Sequence, residues 1–244
     1  GAPAYTGYQL LDTTLGATAT SYIDDGFGAG LSIGIEYCYI VTAVYADGAE
    51  SCASPQACAS LKKDLPVITN ADVRNTSVIN GSVYVAWSKP TELDTVLFPP
   101  PYLYKLYRSA GFGTSNPSFL SNFNGLDDTT FVDTLFDTQS QANTYRVELW
   151  YDDNGVSTLK GASTTASSVF LALTPSDNLI RLTWQENVPW NNERYDIFRK
   201  NSLGVFDSIA TVNNRNYTDS NLVNGQTYCY FVRSVGGFSY DGFV

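Results

Sequence analysis

Residues Asn216 to Val235, which read NYTDSNLVNGQTYCYFVRSV, decide the fold class of this chain. Two segments that alternate apolar and polar residues lie on either side of a turn rich in Asn and Gly. Alternation of this kind over a few residues is typical of short β-strands with one buried face. We therefore predict that the stretch forms two successive strands of an all-β domain.

The same arrangement recurs three times along the chain. In each repeat an aromatic residue precedes an aspartate by two positions and a tyrosine follows further on, as in Tyr217, Asp219 and Tyr228. The corresponding residues are Tyr22, Asp24 and Tyr37 in the first repeat and Phe131, Asp133 and Tyr145 in the second. Trp87 and Trp184 also recur at a spacing of roughly 100 residues, the length of a β-sandwich module. The chain is therefore predicted to be a tandem array of such modules.

The repeats define three predicted modules. Residues 1–64 show only the later strands of a module, residues 65–166 form a complete module, and residues 167–244 lack the last strand. We thus expect the first and last modules to be incomplete. Together with the absence of Met, this leads us to expect a processed or trimmed segment of a longer array.

The anchor residues of the repeats resemble those of fibronectin type III modules, an immunoglobulin-like β-sandwich family. Trp87 and Trp184 correspond to the core tryptophan of the second strand in that family. Tyr37, Tyr145 and Tyr228 correspond to its tyrosine corner, in which a buried ring places its hydroxyl against a backbone group. The resemblance implies that these five residues belong to the structural cores of the modules.

The corner motif is clearest where Leu and Gly precede the tyrosine at a fixed spacing. This spacing is present in the first module at Leu31, Gly34 and Tyr37 and in the third at Leu222, Gly225 and Tyr228. The middle module departs from the motif, because residues 137–144 fill the corner without a glycine.

Three cysteines, Cys38, Cys52 and Cys58, lie on either side of a turn signal at Asp47-Gly48. Counting outward from this turn places residue 38 opposite residue 58, on the sheet face that points away from the core. Cysteines opposite each other on neighbouring strands are near enough to form a disulfide. We predict a Cys38–Cys58 disulfide, with four reduced thiols as the alternative.

The fourth cysteine, Cys229, follows Tyr228 in the way that Cys38 follows Tyr37. By this analogy its partner is expected one hairpin length further on, past Val244. Cys52 is then left without a partner. Metal binding by the cysteines is not expected, because no second CxxC-like pair accompanies them.

The charge balance and the residue usage exclude several classes of function. The chain has 24 acidic and 14 basic residues and a net charge of −10, whereas a nucleic-acid-binding domain needs a basic face. The absence of His excludes a His-dependent catalytic triad and a His-ligated metal site within this chain. No apolar run is long enough to cross a bilayer, so no membrane insertion is expected.

Pairs of acidic residues are the remaining candidates for cofactor binding or catalysis. Asp24-Asp25, Asp127-Asp128 and Asp152-Asp153 offer carboxylates that calcium prefers, but their spacing is not that of a known calcium loop. Asp152 to Gly155 is predicted to be a hairpin turn, since Asn-Gly supports positive φ. We expect no catalytic residue and no cofactor, with calcium as the alternative.

A second resemblance concerns the cellular setting. Residues Ala86 to Thr95, AWSKPTELDT, are similar to strings in the fibronectin-like arrays of large Bacteroidetes surface proteins that are described as gliding-motility-associated. Proteins of that group are typically exported through the type IX secretion system, which implies an extracellular location at the cell surface. An oxidising extracellular setting also fits a disulfide.

Bacteroidetes O-glycosylation acts on triplets of Asp, then Ser or Thr, then a small apolar residue or Thr. Five such triplets occur in this chain, with the acceptors Thr13, Thr95, Thr129, Thr134 and Ser208. The motif is short, and a chain rich in Asp and Thr also matches it by chance. A glycan on one of these residues would solubilise and shield the surface.

Aromatic residues beside prolines are the best candidates for a binding surface. They are Phe98, Pro99, Pro100, Pro101 and Tyr102, in an insertion between the second and third strands of the middle module, and Trp190 in the matching loop of the third. One alternative is that the insertion packs over the end of the sandwich. Another is that these residues join neighbouring modules.

Together these features favour a non-catalytic structural role. We predict a spacer or adhesin stalk of a secreted or cell-surface bacterial protein, whose partners are neighbouring modules, other surface or secretion-machinery proteins, or glycans. The alternative is an accessory carbohydrate-binding or spacer region of a secreted polysaccharide-degrading enzyme. In a third hypothesis, another protein such as secretion or assembly machinery covers the incomplete modules.

Overall fold

The computed structural model describes residues 7–14, 19–24, 36–60, 64–90 and 93–237. All regular elements among these residues are β-strands, which confirms the predicted all-β class. The chain divides into two compact units, Gly1–Lys63 and Asp64–Val244. The second unit contains two β-sandwich modules, which we call the middle and third modules.

The first unit contains one antiparallel hairpin in its described part. Its strands are β1 (Glu36–Tyr39) and β2 (Ala57–Ser60). Cys38 lies directly opposite Cys58 in the pairing of the two strands. Between them, the Gly48 N–H donates a hydrogen bond to the Tyr45 carbonyl at 2.9 Å, which closes the turn predicted at Asp47-Gly48.

The middle module has two antiparallel sheets. Its strands are β3 (Val67–Asn75), β4 (Gly81–Ser88), β5 (Leu103–Ala110), β6 (Ser118–Asn124), β7 (Thr130–Phe136), β8 (Asn143–Asp153), β9 (Val156–Ala162) and β10 (Ala166–Ser167). One sheet has the order β3-β4-β7, and the other has the order β6-β5-β8, with β9 and β10 both paired to β8. Two such sheets packed face to face form a β-sandwich.

Alternation along the strands places the core between the two sheets. Val83, Val85 and Trp87 point inward from β4 and are at most 3% exposed. The ring of Trp87 meets those of Tyr104 and Phe123 edge-on, with centroid distances of 5.7 and 5.1 Å. Edge-to-face pairs stabilise a core beyond the burial of their area. Trp87 therefore lies at the centre of the core, where the resemblance to fibronectin type III modules places it.

The third module repeats this arrangement. Its strands are β11 (Phe170–Ser176), β12 (Leu179–Gln185), β13 (Asn191–Lys200), β14 (Phe206–Val212), β15 (Asn216–Ser220) and β16 (Tyr230–Gly237). The sheets have the orders β11-β12-β15 and β14-β13-β16, so β16 takes the place of β8. Its core comprises Leu182, Trp184, Tyr195 and Ile197. No described residue forms a strand on the outer side of β16, where β9 and β10 pair with β8.

One predicted module boundary needs a correction. The division between residues 166 and 167 falls inside β10, whose Ser167 pairs with Thr144 of β8. The next residue, Ser168, also donates its N–H to the Asn143 carbonyl at 2.9 Å. The sheet of the middle module therefore extends to Ser168, because the last strand resumes its pairing with β8 after a break that the sequence pattern does not reveal.

Replacing Gly81 with Ala is expected to destabilise the middle module. Gly81 begins β4 opposite Phe136, and an added Cβ would overlap the side chain of Thr138 and the Phe136 carbonyl. We expect the free energy of unfolding in urea to fall by about 1–3 kcal/mol, the usual effect of overpacking. Gly113→Ala is the matched control, since a Cβ there meets no atom within 4 Å. Equal stability of the two variants would contradict this packing.

Candidate functional site

A buried carboxylate links the two sheets of the middle module. Asp133 on β7 accepts hydrogen bonds through Oδ2 from Arg108 Nη1 on β5, at 2.6 Å, and from the Tyr145 hydroxyl on β8, at 3.1 Å. Asp133 is 5% exposed and Tyr145 is fully buried. Because β7 belongs to one sheet and β5 and β8 belong to the other, this triad ties the sandwich together.

The third module contains an equivalent triad. Asp219 on β15 accepts through Oδ2 from Arg199 Nη1 on β13, at 2.7 Å, and from the Tyr230 hydroxyl on β16, at 2.8 Å. Asp219 is 6% exposed, and its strand again belongs to the sheet that faces the sheet of its two partners. The same inter-sheet link is therefore built twice with the same residue types.

In the first unit an aspartate and a tyrosine make the same side-chain contact. The Tyr39 hydroxyl on β1 donates to Asp24 Oδ2 at 2.9 Å. Asp24, Asp133 and Asp219 are the three aspartates that the sequence repeat aligned, and each one accepts from a tyrosine. Sequence reasoning found the aspartates but missed their partners, which lie on distant strands.

The triads correct the predicted alignment of the tyrosines. Tyr145 was assigned to a tyrosine corner, but its hydroxyl bonds to Asp133, and its equivalent in the third module is Tyr230 rather than Tyr228. The position equivalent to Tyr228 in the middle module lies two residues before Tyr145 and holds Asn143. Its Nδ2 donates a hydrogen bond to the Asp137 carbonyl at 3.0 Å. A short amide thus replaces the corner tyrosine in the middle module, because the residues of the longer corner loop bring the carbonyl within its reach.

Tyr228 makes the contact expected of a tyrosine corner. Its hydroxyl oxygen accepts a hydrogen bond from the Val223 N–H at 3.0 Å, Leu222 is 8% exposed, and Gly225 has φ +82°. In the first unit Tyr37 is half-buried on β1, whereas Leu31 and Gly34 of its motif lie outside the described residues.

The protonation states of the triads follow from burial. Burial raises the pKa of Tyr145 well above its ordinary value, and the carboxylate of Asp133 raises it further. The pKa of Tyr230 is raised by the same two causes, burial first and then Asp219. Hydrogen bonding to Asp219 raises the pKa of Arg199. Each complete triad is therefore an ion pair of Arg and Asp to which a neutral tyrosine donates.

Tyr145→Phe is expected to destabilise the middle module at neutral pH. The change removes one donor to a buried carboxylate, and hydrogen bonds to charged groups are worth about 1.5–3 kcal/mol. We expect a loss of that size in the free energy of unfolding, measured by urea denaturation at pH 7. Tyr151→Phe is the control on the same strand, because its ring packs edge-on against Phe98 and is retained in Phe.

The same variant also tests the pKa shift. The pKa of Tyr145 is raised in the folded state. The contribution of its hydroxyl to the free energy of unfolding is therefore complete below about pH 10, the ordinary tyrosine pKa, and is lost as the pH rises further. The wild type should therefore lose more stability than Tyr145→Phe between about pH 10 and 12. Equal pH slopes in the two proteins would show that the hydroxyl is not shielded by the core.

The middle and third modules meet at a hydrogen-bonded junction. The Ser167 N–H donates to the Asn187 carbonyl at 2.8 Å, and the Asn187 N–H donates to Ser167 Oγ at 2.7 Å. Val188 and Trp190, which follow β12 in the chain, pack against the hydrophobic core of the middle module. Residues of the third module thus complete the burial of its neighbour.

Trp190 is also tied to the core of its own module. Its Nε1 donates to Asn192 Oδ1 at 3.0 Å, and Asn192 Nδ2 donates to Glu186 Oε1 at 3.2 Å. The Glu186 side chain is fully buried, accepts a hydrogen bond from the Tyr195 hydroxyl at 2.6 Å and forms an ion pair with Arg215 Nε at 2.9 Å. This chain of contacts runs from one module core to the other. Sequence reasoning missed Glu186, since a single glutamate after a strand carries no signal.

The predicted binding surface consists of the insertion at residues 98–102 and of Trp190, and both pack against other parts of the protein. Phe98 lies edge-on to Tyr151, with ring centroids 5.1 Å apart, and Lys160 Nζ lies 3.9 Å from its ring centroid. The Tyr102 hydroxyl donates to the Phe98 carbonyl at 2.7 Å. The insertion therefore packs against the β8–β9 end of the sandwich, with Pro99 half-buried and Pro100 and Pro101 exposed. Trp190, by contrast, lies at the module junction.

The structure contains a disulfide between Cys38 and Cys58. Cys52 and Cys229 are exposed free thiols. Among the predicted glycosylation acceptors, Thr129 is half-buried and the others are exposed: Thr13, Thr95, Thr134 and Ser208. Exposure makes these hydroxyls accessible, and their modification stays a prediction.

Two of the three acidic pairs make contacts within the middle module, and Asp25 of the remaining pair lies outside the described residues. Asp152 Oδ1 accepts from the Gly155 N–H at 2.7 Å, and the positive φ angles of Asn154 (+54°) and Gly155 (+88°) form the predicted hairpin turn. Asp127 forms an ion pair with Lys89. Within the described ranges, no group of three or more Cys, Asp or Glu side chains is arranged to hold a metal ion.

Trp190→Ala is expected to loosen the junction without unfolding either module. Removing the indole deletes its packing on the middle module and its hydrogen bond to Asn192. Small-angle X-ray scattering of the whole chain should then show a broader distance distribution and a larger maximum dimension. Trp150→Ala is the control, because Trp150 lies on β8 with Glu148 as its hydrogen-bond partner, away from the junction residues. Identical scattering of all three proteins would contradict a coupling role for Trp190.

Comparison with protein-family models finds no match, and no curated protein matches this chain. Among solved structures, the crystal structure of chicken CNTN1 FN1–FN3 domains is similar over 84% of this chain and 73% of its own, at 13% identity and a TM-score of 0.23. A similarity with so low a TM-score and identity gives no information about the function of this chain. No described residue lies in a helix long and apolar enough to cross a membrane. By its strand order, the described part of the second unit consists of two antiparallel β-sandwich modules.

Proposed function

We propose that this chain is a non-catalytic spacer or adhesin-stalk segment of a secreted or cell-surface bacterial protein. The observation that carries the proposal is the module junction, where Trp190 packs on one core and is hydrogen-bonded within the next module. Adjacent domains move freely unless they share apolar packing. A junction with such packing limits bending and so maintains the distance between the two ends of the module pair.

The buried charged groups support a structural role. Asp133, Asp219 and Glu186 each accept a hydrogen bond from a tyrosine and form an ion pair with an arginine. Carboxylates with both kinds of partner hold neighbouring strands together. A catalytic acid or base needs a proton that it can exchange with a substrate.

An extracellular location is supported by the Cys38–Cys58 disulfide, since disulfides persist in oxidising compartments. The similarity of residues Ala86 to Thr95 to gliding-associated Bacteroidetes arrays supports export through type IX secretion. The exposed Asp-Thr and Asp-Ser triplets are consistent with O-glycosylation on that route. Export by type IX secretion and O-glycosylation are therefore part of the proposed function.

Surface exposure on intact cells is the test of this function. Antibodies against residues 64–237 should label unpermeabilised cells of the source bacterium, and brief protease treatment of those cells should remove the signal. A cytoplasmic protein used as a control should survive the same treatment. Labelling that requires permeabilised cells would contradict the proposal.

A carbohydrate-binding role would need exposed aromatic rings. The three aromatic candidates from the sequence are instead occupied by packing and hydrogen bonds within the protein, namely Phe98, Tyr102 and Trp190. A glycan array probed with the whole chain should therefore show no binding. Strong binding to a defined glycan would replace the spacer proposal with that of an accessory module of a polysaccharide-degrading enzyme.

A further inference from the structure

The chain contains four Asn-Gly pairs, and the structure gives them different surroundings. They are Asn80-Gly81, Asn124-Gly125, Asn154-Gly155 and Asn224-Gly225. An asparagine before glycine is prone to spontaneous deamidation, in which the glycine nitrogen attacks the side-chain amide, because glycine has no Cβ to obstruct the approach. The reaction needs a nitrogen that can lose its proton and an amide group that can rotate toward it.

Two of the pairs are held by sheet contacts of the middle module. Gly81 is buried at the start of β4, opposite Phe136, where an added Cβ would overlap Thr138. The Gly125 N–H donates to the Tyr102 carbonyl at 2.9 Å. Because the sheet fixes the glycine in both pairs, deamidation there requires part of the sandwich to open.

In the third module the asparagine side chain of the pair is immobilised. Asn224 Oδ1 accepts a hydrogen bond from the Asn178 N–H at 3.0 Å, and Asn224 Nδ2 donates one to Asp177 Oδ1 at 2.7 Å. Asp177 and Asn178 form the turn between β11 and β12. Both bonds must break before the amide can rotate toward Gly225.

The Asn154-Gly155 pair differs because its hydrogen bonds lie within its own turn. Both residues are exposed at the tip of the β8–β9 hairpin, and a Cβ on Gly155 would meet no atom within 4 Å. Asn154 Nδ2 donates to Asp153 Oδ1 at 2.9 Å, and the Gly155 N–H donates to Asp152 Oδ1 at 2.7 Å. Exposed turns open locally at a lower cost than paired strands.

Asp152 acts on the attacking nitrogen itself. Its carboxylate accepts the proton-bearing N–H of Gly155, and a hydrogen bond to the protonated form of a group favours that form. Its negative charge also disfavours a second negative charge on the nitrogen. The carboxylate therefore keeps Gly155 unreactive for as long as the turn is closed.

We propose that Asn154 is a site of spontaneous deamidation in the folded protein, and that Asp152 sets the rate of this modification by retaining the proton of Gly155. The proposal rests on the hydrogen bonds of the hairpin turn. It does not depend on the spacer role.

The reaction consumes one water molecule and releases ammonia. The Gly155 nitrogen gives its proton to a base in the solvent and forms a bond to Cγ of Asn154, while the bond from Cγ to Nδ2 breaks. Nδ2 takes up a proton and leaves as ammonia. Water then adds to one of the two carbonyls of the resulting succinimide ring and opens it to aspartate or isoaspartate. No atom is oxidised or reduced, so no further reactant is needed.

The products alter the β8–β9 hairpin. Each adds a negative charge beside Asp152 and Asp153, and like charges at such short range repel. Isoaspartate also adds a methylene to the backbone of a two-residue turn that needs positive φ at both positions. The packing of Phe98 on Tyr151 at this end of the sandwich is therefore expected to loosen in modified molecules.

Peptide mass spectrometry of the whole chain tests the site. The folded protein is incubated in isotopically labelled water at mildly alkaline pH and digested in acid, where ring closure is slow. All four asparagines are then measured in one sample. We expect Asn154 to incorporate the label at least about tenfold faster than the other three, because paired strands open more rarely than an exposed turn.

The same chain unfolded in urea is the control for this comparison. Without the fold, the four pairs should react at similar rates, since a glycine follows each asparagine. If Asn154 reacts no faster than the other three asparagines in the folded chain, the proposal is overturned.

Variants of Asp152 test its control of the rate. Asp152→Ala should raise the rate at Asn154 by about fivefold in the folded chain, which is the effect of losing one ordinary hydrogen bond. Asp152→Asn is the matched variant, because it keeps an oxygen acceptor for the Gly155 N–H and should retain most of the protection. In urea the wild type and Asp152→Ala should react at nearly equal rates. Equal rates of these two proteins in the folded state would also overturn the proposal.

Discussion

The buried bond between an aspartate and a tyrosine is the interaction on which the modules depend. A carboxylate at 5–6% exposure is costly unless it is paired and hydrogen-bonded, and Asp133 and Asp219 meet that need with an arginine and a tyrosine from the opposite sheet. The carboxylate lies on one sheet and its two partners lie on the other. The contacts therefore align the two sheets and also compensate the buried charge. Shifting the tyrosine's strand by one residue would turn the tyrosine outward and remove one of the two donors to the carboxylate.

The same alignment has consequences on the outer face. When the tyrosine points inward, the residue before it must point outward beside the next strand. That position holds a disulfide cysteine in the first unit, a threonine opposite a serine in the middle module, and a free cysteine in the third. This core contact thereby determines which residue lies opposite the following strand in the first unit and in the middle module.

The module junction is the feature on which the proposed function depends. Trp190 packs on the core of the middle module while Asn192 and Glu186 connect it to Tyr195 in the core of the third. Loosening this contact would leave both folds intact and change only their relative freedom. Such a junction suits a spacer, whose task is to hold distance, and it occupies the aromatic residue that a glycan-binding site would need exposed.

The sequence by itself determined what depends on neighbouring residues. The resemblance of the repeats to fibronectin type III modules implied that Trp87 and Trp184 lie in the cores, Asn154-Gly155 indicated the hairpin turn, and counting from Asp47-Gly48 placed Cys38 opposite Cys58. Tertiary structure alone decided that Tyr145 bonds to Asp133 and that Trp190 closes a junction. These contacts join strands that are far apart in the chain, and their geometry arises only when two sheets pack together. Local periodicity specifies which side of a strand faces inward. It contains no information about which buried side chains of two distant strands will contact each other.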